Sequence, residues 1–201
     1  AVEYNGREYM LKFPPSGAAK PTELSYTNSC ISEHIASSIF NMVGIKAQET
    51  LLGTYEVSGK VKVVCACRDF TEKGYRLFVV DALLGNFDRH NGNWGFLYDD
   101  STKEASIAPV YDCGSCLLPQ ADERIMEQAL VNEDVMNARV YQFPTSAIKL
   151  DGRKINYYDF LMSAEEPECN AAIQRMVPKI NLEQIKGFIE EVPFITELQK
   201  T

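Results

Sequence analysis

Two glycine-containing turns frame the first third of the chain and restrict it to a small antiparallel sheet. Asn5-Gly6 and Ser58-Gly59 each stand between two stretches that are typical of β-strands. Such pairs supply the positive φ angles that a two-residue hairpin turn requires. The sequence therefore predicts a first hairpin in "AVEYNGREYMLKF" and a second one formed by "TLLGTYEV" and "KVKVVCAC".

One amphipathic helix is predicted between the two hairpins, in "YTNSCISEHIASSIFNMVGI". Thr27 or Asn28 can cap its start and Gly44 can end it. One apolar face repeats at helical spacing and is formed by Ile31, Ile35, Ile39 and Met42. Glu33 lies on a second side that is also apolar, so we expect this helix to contact the sheet and further structure beyond it.

The rest of the chain is predicted to be mainly helical, with one small hairpin formed by "NWGFLY" and "ASIAPVY". The predicted helices are "YRLFVVDALLGN", "ADERIMEQALVNEDVMNARV", "NYYDFLMSA", "CNAAIQRMV" and "NLEQIKGFIEEV". A change of composition near residues 69–74 marks a boundary between a small lobe, residues 1–70, and a large lobe, residues 71–201. The predicted class is α+β, with a small antiparallel β lobe that carries one helix, a larger mainly α-helical lobe, and a cleft between them that suits a ligand.

Composition and charge exclude several classes of protein. With 45% hydrophobic and 24% charged residues, the 201-residue chain can form a packed core. Its net charge of -8 disfavours nucleic acid and anionic membranes as partners. No signal peptide is recognisable, and the 6 cysteines are more consistent with reduced thiols in a cytoplasmic protein than with disulfides. Cys113 and Cys116 form a C-x-x-C, but the sequence does not supply four ligands at zinc spacing.

The stretch "FDRHNGNW", residues 87–94, concentrates side chains that phosphate and magnesium chemistry uses. Asp88 follows a predicted helix and precedes a strand, where its carboxylate can accept a proton from a substrate hydroxyl. Asn93 offers a neutral oxygen to Mg²⁺, and Asp112, at the end of the next predicted strand, offers an anionic one. Each of these residues alone is as readily a turn or cap residue, but their combination predicts a phosphotransfer site.

Lys12 and Glu33 can supply the phosphate-binding part of the same site. Lys12 lies on the second strand of the first hairpin, and Glu33 lies in the helix that follows. Either residue alone is typical of a solvated surface. Together they favour a nucleotide site, because a helix carboxylate can hold a strand ammonium group over two phosphates.

The order of these features resembles the protein-kinase-like fold. "FDRHNGN" is similar to the catalytic loop of HipA-type serine/threonine kinases, and phosphatidylinositol 3- and 4-kinases have a related D-R-H-x-x-N. "SEHIASSIFNMVGIKAQET" resembles the HipA stretch that carries the helix glutamate, and "VVCACRDF" lies where that family has its interlobe hinge. The resemblance covers most of residues 8–115 and implies ATP and Mg²⁺ as cofactors.

The resemblance also implies a role for each candidate residue. Lys12 would contact the ATP phosphates and pair with Glu33, while the hinge would present backbone groups to adenine. Asp88 would be the catalytic base, with Arg89 and His90 bracing the loop or His90 acting as a second proton acceptor. The implied catalytic residues are thus Asp88 and His90, the nucleotide-binding residues Lys12, Glu33, Cys67, Arg68 and Asp69, and the metal ligands Asn93 and Asp112.

The chain departs from this family in several places. No glycine-rich phosphate loop precedes the first hairpin, the HipA N-terminal subdomain has no counterpart, and the stretch from Phe70 to Asp88 holds one helix where kinases usually have two. "DCG", residues 112–114, ends in a glycine that HipA proteins lack, so it is closer to lipid and eukaryotic-type kinases. We expect that segments are missing from this sequence rather than that the kinase is minimal.

The leading hypothesis is an ATP- and Mg²⁺-dependent kinase that phosphorylates serine or threonine in a protein. A lipid or small-molecule kinase is an alternative that the D-R-H motif permits and the acidic charge disfavours. Another alternative is a pseudokinase that binds nucleotide as a toxin–antitoxin or regulatory partner. The intact candidate residues favour transfer over binding alone, whereas the absent phosphate loop favours the pseudokinase.

Overall fold

The first third of the chain forms a four-stranded antiparallel sheet in the order β1-β2-β4-β3. The computed structural model describes residues 2–5, 7–14, 28–67, 74–93, 95–143, 145–150 and 152–201. The strands of this sheet are β1 (Val2–Tyr4), β2 (Arg7–Lys12), β3 (Thr50–Val57) and β4 (Lys60–Cys67). Both predicted hairpins are therefore confirmed, and they are joined by pairing of β2 with β4.

Turn chemistry sets the register of this sheet. Asn5, Ser58 and Gly59 have φ angles of 50°, 51° and 74°, the left-handed values that tight hairpins need. The register of β2 against β4 places Lys12 opposite Cys65. The candidate phosphate-binding lysine thus lies at the end of a central strand of the sheet.

Helix α1 (Ser29–Met42) packs across the sheet, as its apolar faces predict. Ala36 and Phe40 are fully buried, and so is the carboxylate-bearing Glu33. The helix ends before Gly44, which has a φ of 76°. Because α1 carries Glu33 toward β2, the position of this helix brings the buried carboxylate within reach of Lys12.

Asn28, which precedes α1, uses its side chain to connect distant segments. The side chain makes no capping bond to the helix. Its Nδ2 donates to the carbonyl of Ala121 at 3.2 Å, and its Oδ1 accepts from Gln199 at 3.4 Å. Its backbone N–H donates to the carbonyl of Pro119 at 3.3 Å. The start of α1 is thereby tied both to the segment that follows Asp112 and to the last helix of the described chain.

The remaining elements are mainly helical. In chain order they are α2 (Gly74–Leu84), a 3-10 turn (Asn91–Asn93), β5 (Phe96–Asp99), β6 (Glu104–Ile107), α3 (Glu123–Val131), α4 (Glu133–Asn137), a π-helical turn (Ala138–Gln142), β7 (Thr145–Leu150), β8 (Arg153–Asn156), α5 (Tyr157–Ser163), α6 (Pro167–Met176), a second 3-10 turn (Val177–Lys179), α7 (Leu182–Glu191) and α8 (Glu197–Lys200). The α+β class is confirmed. The predicted boundary between residues 70 and 71 lies outside the described residues, so the division into two lobes stays a prediction.

Three expectations differ from the structure. The single helix predicted across residues 121–140 is broken at Asn132, whose Oδ1 accepts the N–H groups of Asp134 and Val135 at 3.0 and 3.3 Å and so starts a second helix. The β7–β8 hairpin was not predicted from the sequence. Strand β6 ends at Ile107, before Pro109, so Asp112 lies in the segment beyond the strand rather than at its end.

The main hydrophobic core joins α1 and α2 to α6 and to the segment around residues 110–116. Val43, Val80 and Met176 are almost completely buried there. Within the described ranges, no helix combines the length and the apolar character that crossing a membrane would demand. The core thus fixes α1 and α2 relative to each other, and these helices carry or precede the candidate site residues.

Candidate active site

The loop between α2 and β5 presents Asp88 to solvent. Gly85 turns the chain at the end of α2 with a φ of 64°. The N–H of Asp88 donates to Oδ1 of the buried Asn86 at 3.1 Å, which fixes the backbone at this position. In the described part of the chain, no donor contacts the exposed Asp88 carboxylate. A positioned carboxylate with free lone pairs can accept a proton from an incoming hydroxyl.

A buried ion pair anchors this loop from below. The Nε and Nη2 groups of Arg89 donate to Oδ2 and Oδ1 of Asp81 at 2.9 and 3.1 Å. Nδ2 of Asn86 donates to Oδ1 of Asp81 at 2.8 Å, and the Tyr157 hydroxyl donates to the Asn86 carbonyl at 2.7 Å. Because these groups are buried and hydrogen-bonded to one another, the network holds the backbone on both sides of Asp88.

The same arginine links the loop to the segment that carries Asp112. Nη1 of Arg89 donates to the carbonyls of Asn93 at 3.3 Å and Tyr111 at 2.7 Å. Burial raises the pKa of the Asp81 carboxyl, and the Arg89 guanidinium opposes that rise. Burial lowers the pKa of Arg89, but the effect of the Asp81 carboxylate is stronger, so the pKa of Arg89 is raised above its ordinary value. The guanidinium therefore stays charged and can hold the two segments together.

Lys12 lies between two carboxylates. Its Nζ is 2.9 Å from Oε2 of Glu33 and 2.8 Å from Oδ1 of Asp112. Glu33 is fully buried, and its Oε1 has no hydrogen-bond partner among the described residues. Burial lowers the pKa of Lys12, but the carboxylates of Glu33 and Asp112 outweigh that effect and raise it above its ordinary value. The ion pair of Lys12 with Glu33 that the sequence predicts is present, and the ammonium group is fully charged.

Asn93 and Asp112 are in direct contact. Nδ2 of Asn93 donates to Oδ2 of Asp112 at 2.6 Å, and Oδ1 of Asn93 accepts the N–H of His90 at 3.0 Å. Asp112 has a φ of 58°, a value that aspartate and asparagine tolerate better than most residues. Its side chain is 52% exposed, so the carboxylate is accessible from solvent.

His90 and Gly92 shape the middle of the loop. The N–H of Gly92 donates to Nδ1 of His90 at 3.0 Å, so Nδ1 is the acceptor and Nε2 carries the proton of the neutral ring. A Cβ at position 92 would lie 2.9 Å from Cε1 of His90, which only glycine avoids. The imidazole is exposed beside Asp88 and can approach the same substrate.

Gly114 allows the segment after Asp112 to pass close to α1. A Cβ there would lie 3.3 Å from Oε2 of Glu33 and 3.4 Å from the carbonyl of Ser29. Cys113 and Cys116 flank this glycine as buried free thiols, and burial raises the pKa of Cys116. The C-x-x-C therefore belongs to the packed support of the site.

The oxygen donors present fit a magnesium ion that is bound together with a nucleotide. Asp112 supplies one accessible carboxylate, and Oδ1 of Asn93 retains a second lone pair besides the one that accepts from His90. Mg²⁺ typically takes one or two carboxylates and completes its shell with substrate phosphates and water. Across the described ranges, no group of three or more His, Cys, Asp or Glu side chains is arranged to hold a metal.

The structure brings most of the predicted site residues together. A continuous set of contacts runs from Glu33 through Lys12 and Asp112 to Asn93. Asp88 and His90 belong to the loop that Asn93 closes. Cys67 is a buried residue at the end of β4, with its Sγ 3.8 Å from that of Cys65. The other two hinge residues, Arg68 and Asp69, lie outside the described residues.

Sequence reasoning missed the residues that support the loop. Asp81, Asn86 and Tyr157 contact no substrate position themselves, yet they hold the backbone of Asp88 and Arg89. One signal was available, because Asp81 interrupts the apolar run "LFVVDALL" of α2. A buried acid needs a cationic partner, and Arg89, 8 residues further along the chain, supplies it.

Comparison with known proteins assigns the chain to a family. No model of a known protein family matches it. The serine/threonine-protein kinase CtkA of Helicobacter pylori (strain J99 / ATCC 700824) is 42% identical to it over 98% of this chain and 74% of CtkA. The chain belongs to the CtkA family of serine/threonine-protein kinases.

A crystal structure described as a Helicobacter pylori proinflammatory kinase CtkA matches this fold with a TM-score of 0.89 at 41% identity. The match covers 99% of this chain and 82% of the CtkA chain. The aligned stretch of 245 residues exceeds the length of this chain, so CtkA carries segments within it that have no counterpart here. As a member of the CtkA family, the chain is a kinase.

Proposed function

We propose that the chain is a HipA-like protein serine/threonine kinase that transfers phosphate from ATP with Mg²⁺. The observation that carries this proposal is the continuous set of contacts from Glu33 through Lys12 and Asp112 to Asn93, beside an exposed Asp88. Phosphoryl transfer requires mainly positioning and charge neutralisation, and these residue types supply both.

Each residue has a distinct task in this proposal. Lys12, held by Glu33, contacts the nucleotide phosphates, while backbone groups of residues 67–69 meet adenine in a cleft between residues 1–70 and 71–201. Asp112 and Asn93 hold Mg²⁺, which when bound neutralises charge on the phosphates. The serine or threonine oxygen attacks the terminal phosphorus, its proton passes to the Asp88 carboxylate, and ADP leaves. For His90 to act as a second acceptor, its Nδ1 must exchange the hydrogen bond from the Gly92 N–H for one from the substrate hydroxyl.

We further propose that the protein is cytoplasmic and that its partner is a protein substrate rather than nucleic acid or a membrane. The net charge of -8 supports this, because an acidic protein is repelled by phosphate-rich surfaces. The proposal of an antitoxin-type partner protein is supported by the resemblance to HipA alone.

The substitution Asp88→Asn tests the catalytic base. It keeps the shape of the side chain and its backbone bond to Asn86, but it removes the proton acceptor. We expect phosphate transfer to fall by roughly 10²-fold or more, the usual scale for a positioned base, with nucleotide affinity nearly unchanged. Asp100→Asn on the β5–β6 turn is the matched control and should leave both quantities unchanged. Transfer at the parent's rate by Asp88→Asn would exclude this residue as the base.

Asp112→Asn and Asp112→Ala together test the metal site. Asparagine tolerates the positive φ of this position, so the Asn variant separates loss of charge from backbone strain. We expect both variants to weaken binding of Mg²⁺·ATP far more than binding of free adenosine, measured by calorimetry on the same preparation. An equal loss for both ligands would show that the residue is structural.

A further inference from the structure

A cavity of about 680 Å³ opens beside the start of the catalytic loop. Its volume falls within the roughly 300–1,000 Å³ that ligand-binding cavities occupy. Its walls come from α1, the end of α2, α5 and the segment after Asp112, and they include Ile35, Leu84, Leu117 and Leu161. Kinase chemistry as described above does not use this cavity.

The cavity lies within reach of the proposed base. Gly85 lines the cavity, and Asp88 follows it three residues later in the chain. Three extended residues span at most about 10 Å, so Asp88 lies within about that distance of the cavity wall. Phe87, next to Asp88, packs against Phe143 with ring centres 5.8 Å apart. A peptide that places a hydroxyl at Asp88 can therefore place a nearby side chain in the cavity.

Arg139 places a cation in the wall of the cavity. The guanidinium of Arg139 lies 5.6 Å from the centre of the Phe143 ring, and no carboxylate in the described ranges pairs with it. Lys200, which also lines the cavity, is by contrast paired with Glu197 at 2.7 Å and Glu190 at 3.8 Å. Because an arginine can bind a carboxylate through two parallel hydrogen bonds, Arg139 offers a specific place for an acidic side chain.

Exposed apolar side chains surround the same edge. Leu83, Val140 and Tyr158 line the cavity and are 43%, 53% and 41% exposed. Such an apolar border favours a bulky apolar residue over a highly hydrated one. The contact of Tyr158 with Tyr141, at 4.7 Å between ring centres, extends the border away from the cavity.

We propose that this cavity is the docking site for the protein substrate, and that Arg139 selects an acidic residue close to the phosphorylated hydroxyl. The selected segment has a glutamate or aspartate within about four residues of its serine or threonine, a span set by the reach of an extended chain, together with a bulky apolar residue. The inference rests on the proposed kinase function and adds its substrate class.

A charge exchange between enzyme and peptide tests the proposal. Fluorescent peptides of equal length are compared in pairs, and each peptide contains one serine and one leucine. Within a pair, one position near the serine carries either glutamate or lysine. Successive pairs place this charged residue at a different neighbouring position. Fluorescence anisotropy without nucleotide measures docking, and steady-state transfer measures KM and kcat. For the parent we expect the best glutamate peptide to have a KM at least about tenfold lower than its lysine counterpart, because Arg139 attracts the glutamate and repels the lysine. Arg139→Glu should reverse this preference at an unchanged kcat.

Matched variants separate docking from general effects of charge and surface. Arg153→Glu, on the exposed β7–β8 hairpin outside the cavity, changes the net charge equally and should keep the parent's preference. Leu83→Ala should raise KM several-fold, by about the transfer energy of its lost methyl groups, whereas Leu182→Ala, exposed at the start of α7, should not.

The outcomes distinguish this proposal from the kinase function on which it rests. Transfer without a preference for acidic peptides, or a preference that Arg139→Glu retains, would overturn the docking site and leave the kinase intact. The kinase function would be refuted if no peptide were phosphorylated and ATP turnover did not depend on Asp88. In that case, fluorescence anisotropy still reports whether Arg139 binds the acidic peptide. Saturable binding of laurate without peptide binding would assign the cavity to a small amphipathic anion and overturn the proposal.

Discussion

Arg89 carries its charge into the protein interior, where the Asp81 carboxylate compensates it. A buried ion pair gains little net stability, because the attraction between the charges is offset by the loss of their hydration. The pair instead fixes the position of the loop, because the same guanidinium also donates to the carbonyls of Asn93 and Tyr111. Breaking the pair should therefore cost both stability and the shape of the catalytic loop.

Asp81→Asn is expected to lower the free energy of unfolding by about 3–5 kcal/mol, because it leaves the Arg89 charge buried without a partner. Chemical denaturation followed by circular dichroism measures this change. Asp100→Asn makes the same substitution in an exposed pair with Lys103 and should leave the denaturation midpoint unchanged. Equal midpoints for Asp81→Asn and the parent would mean that the charge of Arg89 is compensated elsewhere.

The candidate site residues have a signal in the sequence, whereas most residues that support them do not. Lys12, Asp88 and Asn93 fall into a pattern of residue types and element order that phosphotransfer chemistry requires, and such a pattern is visible along the chain. Asn86 has no comparable signal, because its importance arises from two contacts, with Asp81 and with the Asp88 backbone, that only the folded loop creates. Residues that support a site are defined by three-dimensional contacts, and such contacts leave little pattern in the local sequence.

At the level of elements, α1 is held between the sheet and α7 through His34. Its Nδ1 lies 3.0 Å from Oγ1 of Thr50 on β3, and its ring lies 6.0 Å from that of Phe188 on α7. Burial lowers the pKa of His34, and the bond to Thr50 opposes that shift. A histidine with a lowered pKa in the folded state contributes stability that is present above its ordinary pKa and lost as the pH falls below it.

His34→Gln should therefore make the protein less sensitive to acid. Between about pH 7.5 and about pH 5.5 we expect the melting temperature of the parent to fall more than that of the variant, because only in the parent does unfolding free the His34 ring to take up a proton. Differential scanning calorimetry across this pH series measures the difference. An identical acid response in His34→Gln and in the parent would rule out the assignment.

Elements with local signals were predicted well, and those defined by tertiary contacts were not. Ser58-Gly59 determines its hairpin by backbone conformation alone, so the prediction of β3 and β4 is confirmed to the residue. Asn132 lies inside a continuous amphipathic pattern, and nothing in that pattern reveals that its side chain caps a new helix. The position predicted for Asp112 was wrong because alternating apolar residues continue past Ile107, where β6 ends before Pro109, and Val110 pairs instead with Ala47 in an isolated bridge.

At the scale of the whole molecule, the hydrogen bond between Asn28 and Gln199 has a consequence for the order of folding. The two residues are separated by 171 positions along the chain, so closing this loop from an unfolded chain costs on the order of 4–5 kcal/mol of entropy. A single hydrogen bond returns only about 1 kcal/mol. The contact must therefore form late, after the intervening elements have already shortened the path between its ends. During synthesis, α1 and its Glu33 stay without this last restraint until residue 199 has left the ribosome, and nascent chains of any shorter length cannot acquire it.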